Sequence, residues 1–514
     1  MYCRYSSTIA LKNALESIER YNPDINAFIS LNDPLVLQEK AKASDLRHSQ
    51  VQPGKPLSSI DGTTIAIKDN ICTSFLPTTC ASNMLRGKGA WFFFGSEARI
   101  KKTTDFTSPY DATVVKLLNE AGALIIGKTN MDEFGMGSYN VHSAFGPVVN
   151  PMGYSKQERR SAGGSSGGSA ASVAMKMCTA ALGSDTGGSV RMPASYCGLV
   201  GFKPTYGRCS RNGLVAYANS LDTIGILAQN VRDCSAVYDI ISHHDIRDPT
   251  SIPNELRNRL DAQQDALLSK FKGKSGLKGL VVGIPQEFYV DSLSSQVLNV
   301  WKRGIQHLRD LGATIKSVSI PHVSLALPAY YIIALAEASS NMSRYDGIRY
   351  GYRSSDVDQT DHKLIYEATR TNGFGHEVQR RILLGTHVLT AGTFETLFLP
   401  AQKARRLIQS EFNRVFSQTN LLDSHEVNHG DADVLLVPSA TSAALNLDDS
   451  SKENGGVEEY IDDVMTLPAN LAGIPAITVP FKQSENELPI GLQLLGQYGH
   501  DTFLLHIAEQ MATE

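Results

Sequence analysis

The feature that most constrains the fold is a recurring pattern in the sequence. An amphipathic run of residues is followed by a glycine and then by a short apolar run. Residues 112–121 carry apolar side chains at helical spacing, Gly122 follows as a helix C-cap, and residues 123–126 are apolar. The same order recurs at 298–311, Gly312 and 314–320, and further elements are predicted at 8–22 (helix), 63–67, 433–437, 476–479 and 491–495 (strands). Strands that alternate with helices are typical of layered folds, so the sequence predicts an α/β protein.

Size and charge exclude several classes of protein. The 514 residues suffice for one large domain or for two or three smaller ones, and no repeat or clear linker divides them. A formal net charge of -4 argues against binding nucleic acid mainly by charge, so a partner should hold most of any bound RNA. No run reaches the ~18 apolar residues that span a bilayer. The N-terminus is at best a fragment of an organellar presequence.

Neither a metal site nor a disulfide framework is predicted. The seven cysteines are scattered along the chain without a C-x-x-C pair, and their number is odd. None of the 13 histidines stands in an H-E-x-x-H motif. The chemistry of this chain should therefore come from other side chains.

The densest chemical signal is a Gly/Ser-rich segment at 161–170, which contains Ser165. Its simplest interpretation is a flexible linker, but the alanine-rich apolar run 170–182 that follows predicts a buried helix. A glycine-rich turn that opens a helix presents unpaired backbone N–H groups. The pattern G-x-S-x-G around Ser165 also matches the nucleophile elbow of α/β-hydrolases. That motif needs a buried strand upstream, which the polar residues 155–161 cannot form.

A second Gly/Ser cluster, at 182–193, places Gly187 and Gly188 directly before Ser189. Adjacent glycines let the backbone turn tightly enough to aim successive N–H groups at one point, as an oxyanion hole requires. For this cluster alone, an ordinary glycine turn is the alternative. Two such clusters separated by one helix favour a catalytic site with a serine nucleophile.

A serine hydroxyl needs a base, and neither cluster has a histidine beside it; the nearest in the sequence is His142. The available base is Lys68, which follows the predicted strand 63–67. A lysine can act as base only if burial lowers its pKa from about 10.4 towards neutrality. The carboxylate of Asp69 would oppose this unless it points elsewhere, and an ordinary surface lysine is the alternative.

These segments together resemble the amidase signature family. The resemblance extends from about residue 9 to the end of the chain, with motifs at 65–70, 163–169, 183–189 and 196–207. It implies one large domain over residues 8–514, an α/β fold with a mixed β-sheet between helical layers. It also implies a Ser–cis-Ser–Lys triad and an oxyanion hole of backbone N–H groups. The implied residues are Ser189 as nucleophile, Ser165 as relay after a cis peptide bond, Lys68 as base, and Thr186, Gly187, Gly188 and Ser189 as oxyanion donors.

Further motifs, at 79–85, 128–134 and 377–385, resemble the members of this family that hydrolyse glutamine within a larger amidotransferase. In those members an arginine binds the glutamine α-carboxylate and an aspartate binds the α-ammonium group. The matching residues here are Arg381 and Asp463. Both pairings suit the chemistry, because arginine contacts a carboxylate through two N–H groups and a carboxylate pairs with an amine. For an isolated arginine, a surface ion pair is the alternative.

The resemblance implies a subunit that releases ammonia from glutamine for the conversion of Glu-tRNA(Gln) to Gln-tRNA(Gln). ATP, Mg²⁺ and the tRNA would be bound by an amidotransferase B-type partner, accompanied by a small third subunit, and this chain would need no cofactor. The segment 154–157 resembles organellar members, which implies a mitochondrial location, with the cytoplasm as the alternative. The rival functions are a stand-alone amidase acting on other small amides and a non-catalytic scaffold.

Two segments are predicted to lie outside the regular fold. Residues 86–107, with four aromatic side chains at 91–94, are mostly absent from similar bacterial sequences and are expected to form a surface insertion. A partner-facing patch is the alternative for this segment. Residues 447–456, rich in Asp, Ser and Gly, are predicted to form a solvated loop.

Overall fold

The computed structural model describes residues 6–50, 57–87, 105–156, 158–271, 276–355, 361–423, 430–447, 460–481 and 487–512. Its strands are β1 Phe28–Leu31, β2 Thr64–Lys68, β3 Leu124–Thr129, β4 Ala180–Asp185, β5 Val200–Lys203, β6 Thr223–Ala228, β7 Val281–Pro285, β8 Thr314–Val318, β9 Val434–Pro438, β10 Ala476–Phe481 and β11 Ile490–Gly496. They form one 11-stranded sheet in the order β1-β3-β2-β4-β6-β5-β10-β11-β9-β7-β8.

The sheet is mixed. Strand β2 pairs in parallel with β3 and β4, and β7 pairs in parallel with β8 and β9. The other neighbouring strands are antiparallel. The carboxyl ends of the parallel strands β2 and β4 therefore meet at one edge of the sheet, which is where ligand sites of open α/β sheets usually lie.

The helices cover both faces of the sheet. They are α1 Ser7–Ile25, α2 Pro34–Ser49, α3 Thr113–Glu120, α4 Gly167–Ala174, α5 Arg191–Cys197, α6 Val231–Ile241, α7 Asn254–Ser269, α8 Ser295–Asp310, α9 Ala326–Met342, α10 His362–Gly373, α11 His376–Val388, α12 Leu399–Val415, α13 Leu467–Ala472 and α14 Asp501–Met511. Helices α1, α2, α4 and α5 share one hydrophobic core, and most of the others share a second.

Alternation along the strands explains the two cores. In β2, Ile65 and Ile67 join the core of α6, α8 and α9, whereas Ala66 between them joins the core of α1, α2 and α4. Successive side chains of a strand point to opposite faces of a sheet. Since every residue of β2 is buried, both faces must be covered, and this confirms the predicted α/β fold with a mixed sheet between helical layers.

Several predicted elements lie within a few residues of the observed ones. The predicted helix 112–121 is α3, and Gly122 follows it with φ +85°, as a helix C-terminal glycine does. The predicted helix 8–22 is α1, which the side chain of Ser6 caps by accepting a hydrogen bond from the Ile9 N–H. The remaining predicted strands correspond to β2, β3, β8, β9, β10 and β11.

The prediction of one buried helix over 170–182 is wrong. Helix α4 begins at Gly167 and ends at Ala174, and the second half of the apolar run forms strand β4. Lys176 adopts a left-handed conformation with φ +56°, and the Met177 N–H reaches back to the Ser172 carbonyl, which closes the helix. A buried strand and a buried helix are both apolar throughout, so periodicity could not separate them.

Helix α9 lies in a strongly apolar segment. In the described part of the chain, the segment Pro321–Met342 is long and apolar enough to cross a membrane by length and composition. It is not an uninterrupted apolar run, because it includes Glu337 and Asn341. More than half of it is buried, and α9 packs against α11, α12 and α13, as a core helix of a globular protein does.

The two irregular segments lie mostly outside the described residues, which omit 88–104 and 448–459. At the base of the first segment, the Gly87 N–H donates to Asp105 and the Phe106 N–H donates to the Leu85 carbonyl. The two ends of that segment are therefore held together beside the main fold. Leu447, at the start of the predicted solvated loop, is instead buried in the core of α1 and α4.

Candidate active site

Lys68 ends strand β2 and is completely buried. Its Nζ lies 2.7 Å from the Ser165 Oγ, 3.0 Å from the Ser184 Oγ and 3.3 Å from the Ser184 carbonyl oxygen. Ser184 lies near the end of β4, which runs parallel to β2. Two parallel strands thus deliver Lys68 and Ser184 to the same edge of the sheet, and the alternative of a surface lysine is excluded.

Burial is the main influence on Lys68. It lowers the pKa of the lysine to about 7, although the carboxylates of Asp132, Asp185 and Asp222 act in the opposite direction. Asp69 points elsewhere: its carboxylate accepts hydrogen bonds from Thr79 and the Ala81 N–H and lies 3.3 Å from the Lys128 Nζ. A large fraction of Lys68 is therefore neutral at pH 7 and able to accept a proton.

The two serine clusters meet beside Lys68. The peptide bond between Gly164 and Ser165 is cis, and the Ser166 N–H donates to the Ser189 carbonyl oxygen over 3.1 Å. Ser165 is buried, whereas Ser189 is partly exposed. No described residue hydrogen-bonds the Ser189 hydroxyl, and this includes Ser165. Ser189 is therefore the serine that a substrate could reach.

The backbone after β4 contains the predicted oxyanion donors, but one of them is already engaged. The Gly188 N–H donates to the Asp185 carboxylate over 2.9 Å, so it is not free for a substrate oxygen. By contrast, no described residue accepts a hydrogen bond from the N–H groups of Gly187 and Ser189. The Thr186 side chain donates to Asp222 over 2.7 Å and anchors the start of this turn.

Gly188 cannot be replaced without strain. Its φ is +135°, and an added Cβ would overlap the Thr466 Oγ1. We expect Gly188→Ala to lower the free energy of unfolding by about 1–3 kcal/mol more than Gly392→Ala does. Gly392 is the matched control because its φ is +85° and its added Cβ would meet nothing within 4 Å. Urea denaturation of both variants measures the difference, and equal losses would contradict the predicted overlap.

Arg381 projects from α11 and is almost completely buried. Its Nε donates to Glu377 over 2.7 Å and its Nη1 donates to the Tyr217 hydroxyl over 2.9 Å. Its Nη2 is buried without a hydrogen-bond partner among the described residues. The rings of Tyr217, Tyr331 and Tyr460 surround the guanidinium at 5.9, 5.8 and 5.5 Å. A buried unpaired donor is costly, which favours a ligand acceptor at this position.

Asp463 is also buried, and it lies close to Arg381. Its Oδ2 accepts hydrogen bonds from the Ser138 Oγ over 3.0 Å and from the Tyr331 hydroxyl over 2.7 Å. Since Tyr331 contacts Arg381 through its ring and Asp463 through its hydroxyl, the two predicted binding residues lie on either side of one tyrosine. A surface location is excluded for both of them, although Arg381 does form an ion pair with Glu377.

Two residues connect the side chains around Arg381 and Asp463 to the serine cluster, that is, to the two Gly/Ser-rich segments that meet beside Lys68. The Ser138 carbonyl accepts the Gly164 N–H over 2.6 Å, while its hydroxyl binds Asp463. Asp222 accepts hydrogen bonds from the Thr186 hydroxyl and from the Tyr217 N–H. The groups around Arg381 and Ser189 therefore belong to one connected site.

Several residues of this site were not predicted from the sequence, namely Ser138, Ser184, Tyr217, Asp222, Tyr331 and Tyr460. Ser184 lies within the motif 183–189 and Ser138 lies shortly after the motif 128–134, and these two positions offered a signal. The other four stand in no short motif that predicts their neighbours. Among the described residues, no group of three His, Cys, Asp or Glu side chains could hold a metal ion, and the six described cysteines are all unpaired and buried.

Comparison with known proteins places the chain in a family. The family model described as Amidase matches residues 10–92 and 97–505. The A-type subunit of the mitochondrial glutamyl-tRNA(Gln) amidotransferase of Tuber melanosporum is 44% identical over 97% of this chain and 94% of its own length. The A-type subunit of the glutamyl-tRNA(Gln) amidotransferase of Gluconobacter oxydans is 42% identical over 99% of this chain and 94% of its own length.

Solved structures agree with these sequence matches. The crystal structure of the A-type subunit of glutamyl-tRNA(Gln) amidotransferase from Thermotoga maritima superimposes with a TM-score of 0.71 at 35% identity, covering 98% of this chain and 91% of that one. A structure described as an amidase superimposes with a TM-score of 0.73 at 27% identity, covering 99% of this chain and 96% of that one. The family predicted from the sequence motifs is thereby confirmed, and the chain belongs to the amidase family.

Proposed function

We propose that this chain is the glutamine-hydrolysing subunit of a glutamyl-tRNA(Gln) amidotransferase. The observation that carries the proposal is the pairing of a buried Lys68–Ser165 contact with a buried Arg381 whose Nη2 lacks a partner among the described residues. The first group suits amide cleavage, and the second suits a substrate that carries a carboxylate. Relatives of this chain that cover nearly its whole length are named as the A-type subunit of that enzyme, which supports the same assignment.

The proposed chemistry begins with attack by Ser189 on the side-chain carbonyl carbon of glutamine. Its proton passes through the Ser165 hydroxyl to the neutral amine of Lys68. The N–H groups of Gly187 and Ser189 stabilise the negative charge that develops on the carbonyl oxygen. Lys68 then returns the proton through Ser165 to the leaving nitrogen, so that ammonia departs and a γ-glutamyl ester of Ser189 remains. Water hydrolyses this ester to release glutamate.

The substrate is recognised by two residues of opposite charge, Arg381 and Asp463. The Arg381 Nη2 donates to the α-carboxylate of glutamine, and the Asp463 carboxylate accepts from the α-ammonium group. The rings of Tyr217, Tyr331 and Tyr460 shield the guanidinium from water, which strengthens its hydrogen bonds. A stand-alone amidase acting on simple amides, the rival function, would have no use for an Arg381 donor that no described residue engages.

The ammonia is used by a partner. In the proposed complex a B-type subunit binds ATP, Mg²⁺ and Glu-tRNA(Gln) and converts the last of these to Gln-tRNA(Gln), with a small third subunit present. The net charge of -4 is consistent with a chain that leaves tRNA binding to another subunit. We place the complex in mitochondria because the fungal relatives are named mitochondrial, whereas similar bacterial proteins are not.

The direct test uses an electrophilic glutamine analogue on the full chain, purified with any subunits that accompany it. We expect one covalent adduct per chain, located on Ser189 by peptide mass mapping, and protection by free glutamine. Hydrolysis of glutamine should also exceed that of a simple aliphatic amide of similar size. An adduct on another residue would overturn the proposed nucleophile, and equal hydrolysis of both amides would favour the stand-alone amidase.

Arg381→Lys should raise the KM for glutamine by about 10- to 100-fold, because a charge-assisted hydrogen bond worth about 1.5–3 kcal/mol is lost. Lysine keeps the charge but cannot keep contacts with Glu377, Tyr217 and a carboxylate at once. The measurement is steady-state glutaminase kinetics. Arg380→Lys is the matched control, because the neighbouring side chain is about half exposed and should tolerate the change. A KM unchanged in Arg381→Lys would contradict the proposed recognition.

A further inference from the structure

The helix that carries Arg381 begins without a cap of its own. Its N-cap residue is Gly375, which has no side chain to accept the free N–H groups of the first turn. Instead, the carboxylate of Glu133 accepts the Gly375 N–H over 2.7 Å. The other oxygen of that carboxylate accepts from the Ser82 hydroxyl over 2.5 Å. A carboxylate at a helix N-terminus is stabilised both by the N–H groups and by the helix dipole.

A second contact holds the same two segments together. The ring of Phe134, next to Glu133, lies 5.7 Å from that of Phe374, next to Gly375, and 4.8 Å from that of Tyr345. The approach is so close that a Cβ added at Gly375 would overlap the Glu133 Oε2. Glu133 is itself buried. The start of α11 is therefore fixed by a polar contact and an apolar contact side by side.

The segment that carries Glu133 also supports the catalytic serines. The Asp132 N–H donates to the Ser165 carbonyl over 3.3 Å, and the Ser138 carbonyl accepts the Gly164 N–H over 2.6 Å. The Ser138 hydroxyl donates to Asp463. Residues 132–138 thus contact Ser165, which is the proposed relay, and Asp463, which is predicted to bind the ammonium group. They also contact the start of α11, which carries Arg381.

We propose that Glu133 is a positioning residue for glutamine, which ties the N-terminus of α11 to the serine cluster and so sets the distance between Arg381 and Ser189. The inference rests on the proposed function, since it assumes that Arg381 binds the α-carboxylate. A displacement of about 1 Å between a binding group and a reacting group is enough to weaken productive binding strongly. Glu133 acts through α11 and touches no substrate atom.

The charge of Glu133 should matter as well as its shape. Burial raises the pKa of Glu133 to about 7, although the hydrogen bonds from Ser82 and the Gly375 N–H and the charge of His142 act in the opposite direction. The Cys80 thiol also faces this carboxylate. Glu133 is therefore mostly ionised above pH 7 and mostly protonated below it. Because the ionised form caps α11 more strongly, glutamine binding should weaken as the pH falls through 7.

The test measures glutamine binding by calorimetry in the full chain, with its accompanying subunits, on a Ser189→Ala background that prevents turnover. We expect Glu133→Ala to weaken binding about tenfold, and Glu133→Gln to weaken it less and to abolish the change across pH 7. Gly375→Ala leaves the carboxylate intact but displaces it, and it should also weaken binding. Glu411→Gln is the matched control, because Glu411 is a buried carboxylate that accepts the His322 N–H elsewhere in the fold.

A second measurement separates positioning from general damage. With Ser189 present, a small serine-directed electrophile without an α-carboxylate should label the Glu133 and Gly375 variants at the same rate as the parent chain. Glutamine affinity within twofold of the parent in both Glu133→Ala and Gly375→Ala would overturn the inference, as would a parallel loss of labelling. Arg381→Lys is measured alongside: if it too leaves glutamine affinity unchanged, the proposed recognition fails, and if it alone weakens binding, only the role of Glu133 fails.

Discussion

Ser189→Ala should reduce glutamine hydrolysis by at least about 10³-fold, which is the scale of loss when a nucleophilic serine is removed from a serine hydrolase. Ser189 is the partly exposed serine of the cluster, and its hydroxyl is engaged by no described residue. Removing one oxygen atom from such a position leaves the surrounding hydrogen bonds intact. We therefore expect unchanged thermal unfolding and unchanged association with partner subunits. The measurement is ammonia release from glutamine at saturating substrate.

The control for this experiment is a serine of the same neighbourhood with no proposed role in catalysis. Ser172 is buried in α4, and its hydroxyl donates to the Ser169 carbonyl over 2.9 Å. Ser172→Ala should retain glutamine turnover within a few-fold of the parent chain. Turnover that survives in Ser189→Ala would show that another group attacks the amide, and the proposed mechanism would then be wrong.

Lys68→Met should reduce turnover by about 10²- to 10⁴-fold, the usual contribution of a general base. Methionine is similar in length and apolar, so it removes the base from a buried position without leaving a charge. With the pKa of Lys68 lowered by burial to about 7, the amine is protonated below pH 7 and neutral above it. In the parent chain kcat at saturating glutamine should therefore rise about tenfold per pH unit up to about pH 7 and stay constant above it.

A second buried lysine serves as the control for this assignment. Burial also lowers the pKa of Lys203 to about 7, but its Nζ donates to the carbonyl oxygens of Ile474 and Pro204, away from the serines. The fall in glutamine turnover below pH 7 should persist in Lys203→Met. If turnover no longer falls below pH 7 in that variant while the protein remains folded, the titrating base is not Lys68.

Much of the fold could be predicted because its signals are local. The glycines after α3 and α8 mark the ends of those helices, and the apolar runs that follow are strands β3 and β8. The prediction of one helix over 170–182 was wrong because it, too, relied on local signals. A segment that is buried on all sides has no polar face, so nothing in its own composition shows where α4 stops and β4 begins.

The residues of the candidate site divide in the same way. Lys68, Ser165 and Ser189 stand in short motifs whose glycines and neighbours point to their chemistry. Tyr217, Tyr331 and Glu133 do not, since an isolated tyrosine or glutamate is compatible with almost any role. Their importance comes from contacts with Arg381, Asp463 and Gly375, which are distant in the chain.

The sequence by itself determined the family and the layered α/β fold, and it predicted which groups would act as nucleophile, relay and base. Only the tertiary structure decided how the groups of the site are surrounded. Burial lowers the pKa of Lys68 to about 7, the Gly188 N–H donates to Asp185, and one donor of Arg381 has no partner among the described residues. The reason is physical. Desolvation and hydrogen-bond competition depend on which distant segments surround a group, and that arrangement exists only once the chain is folded.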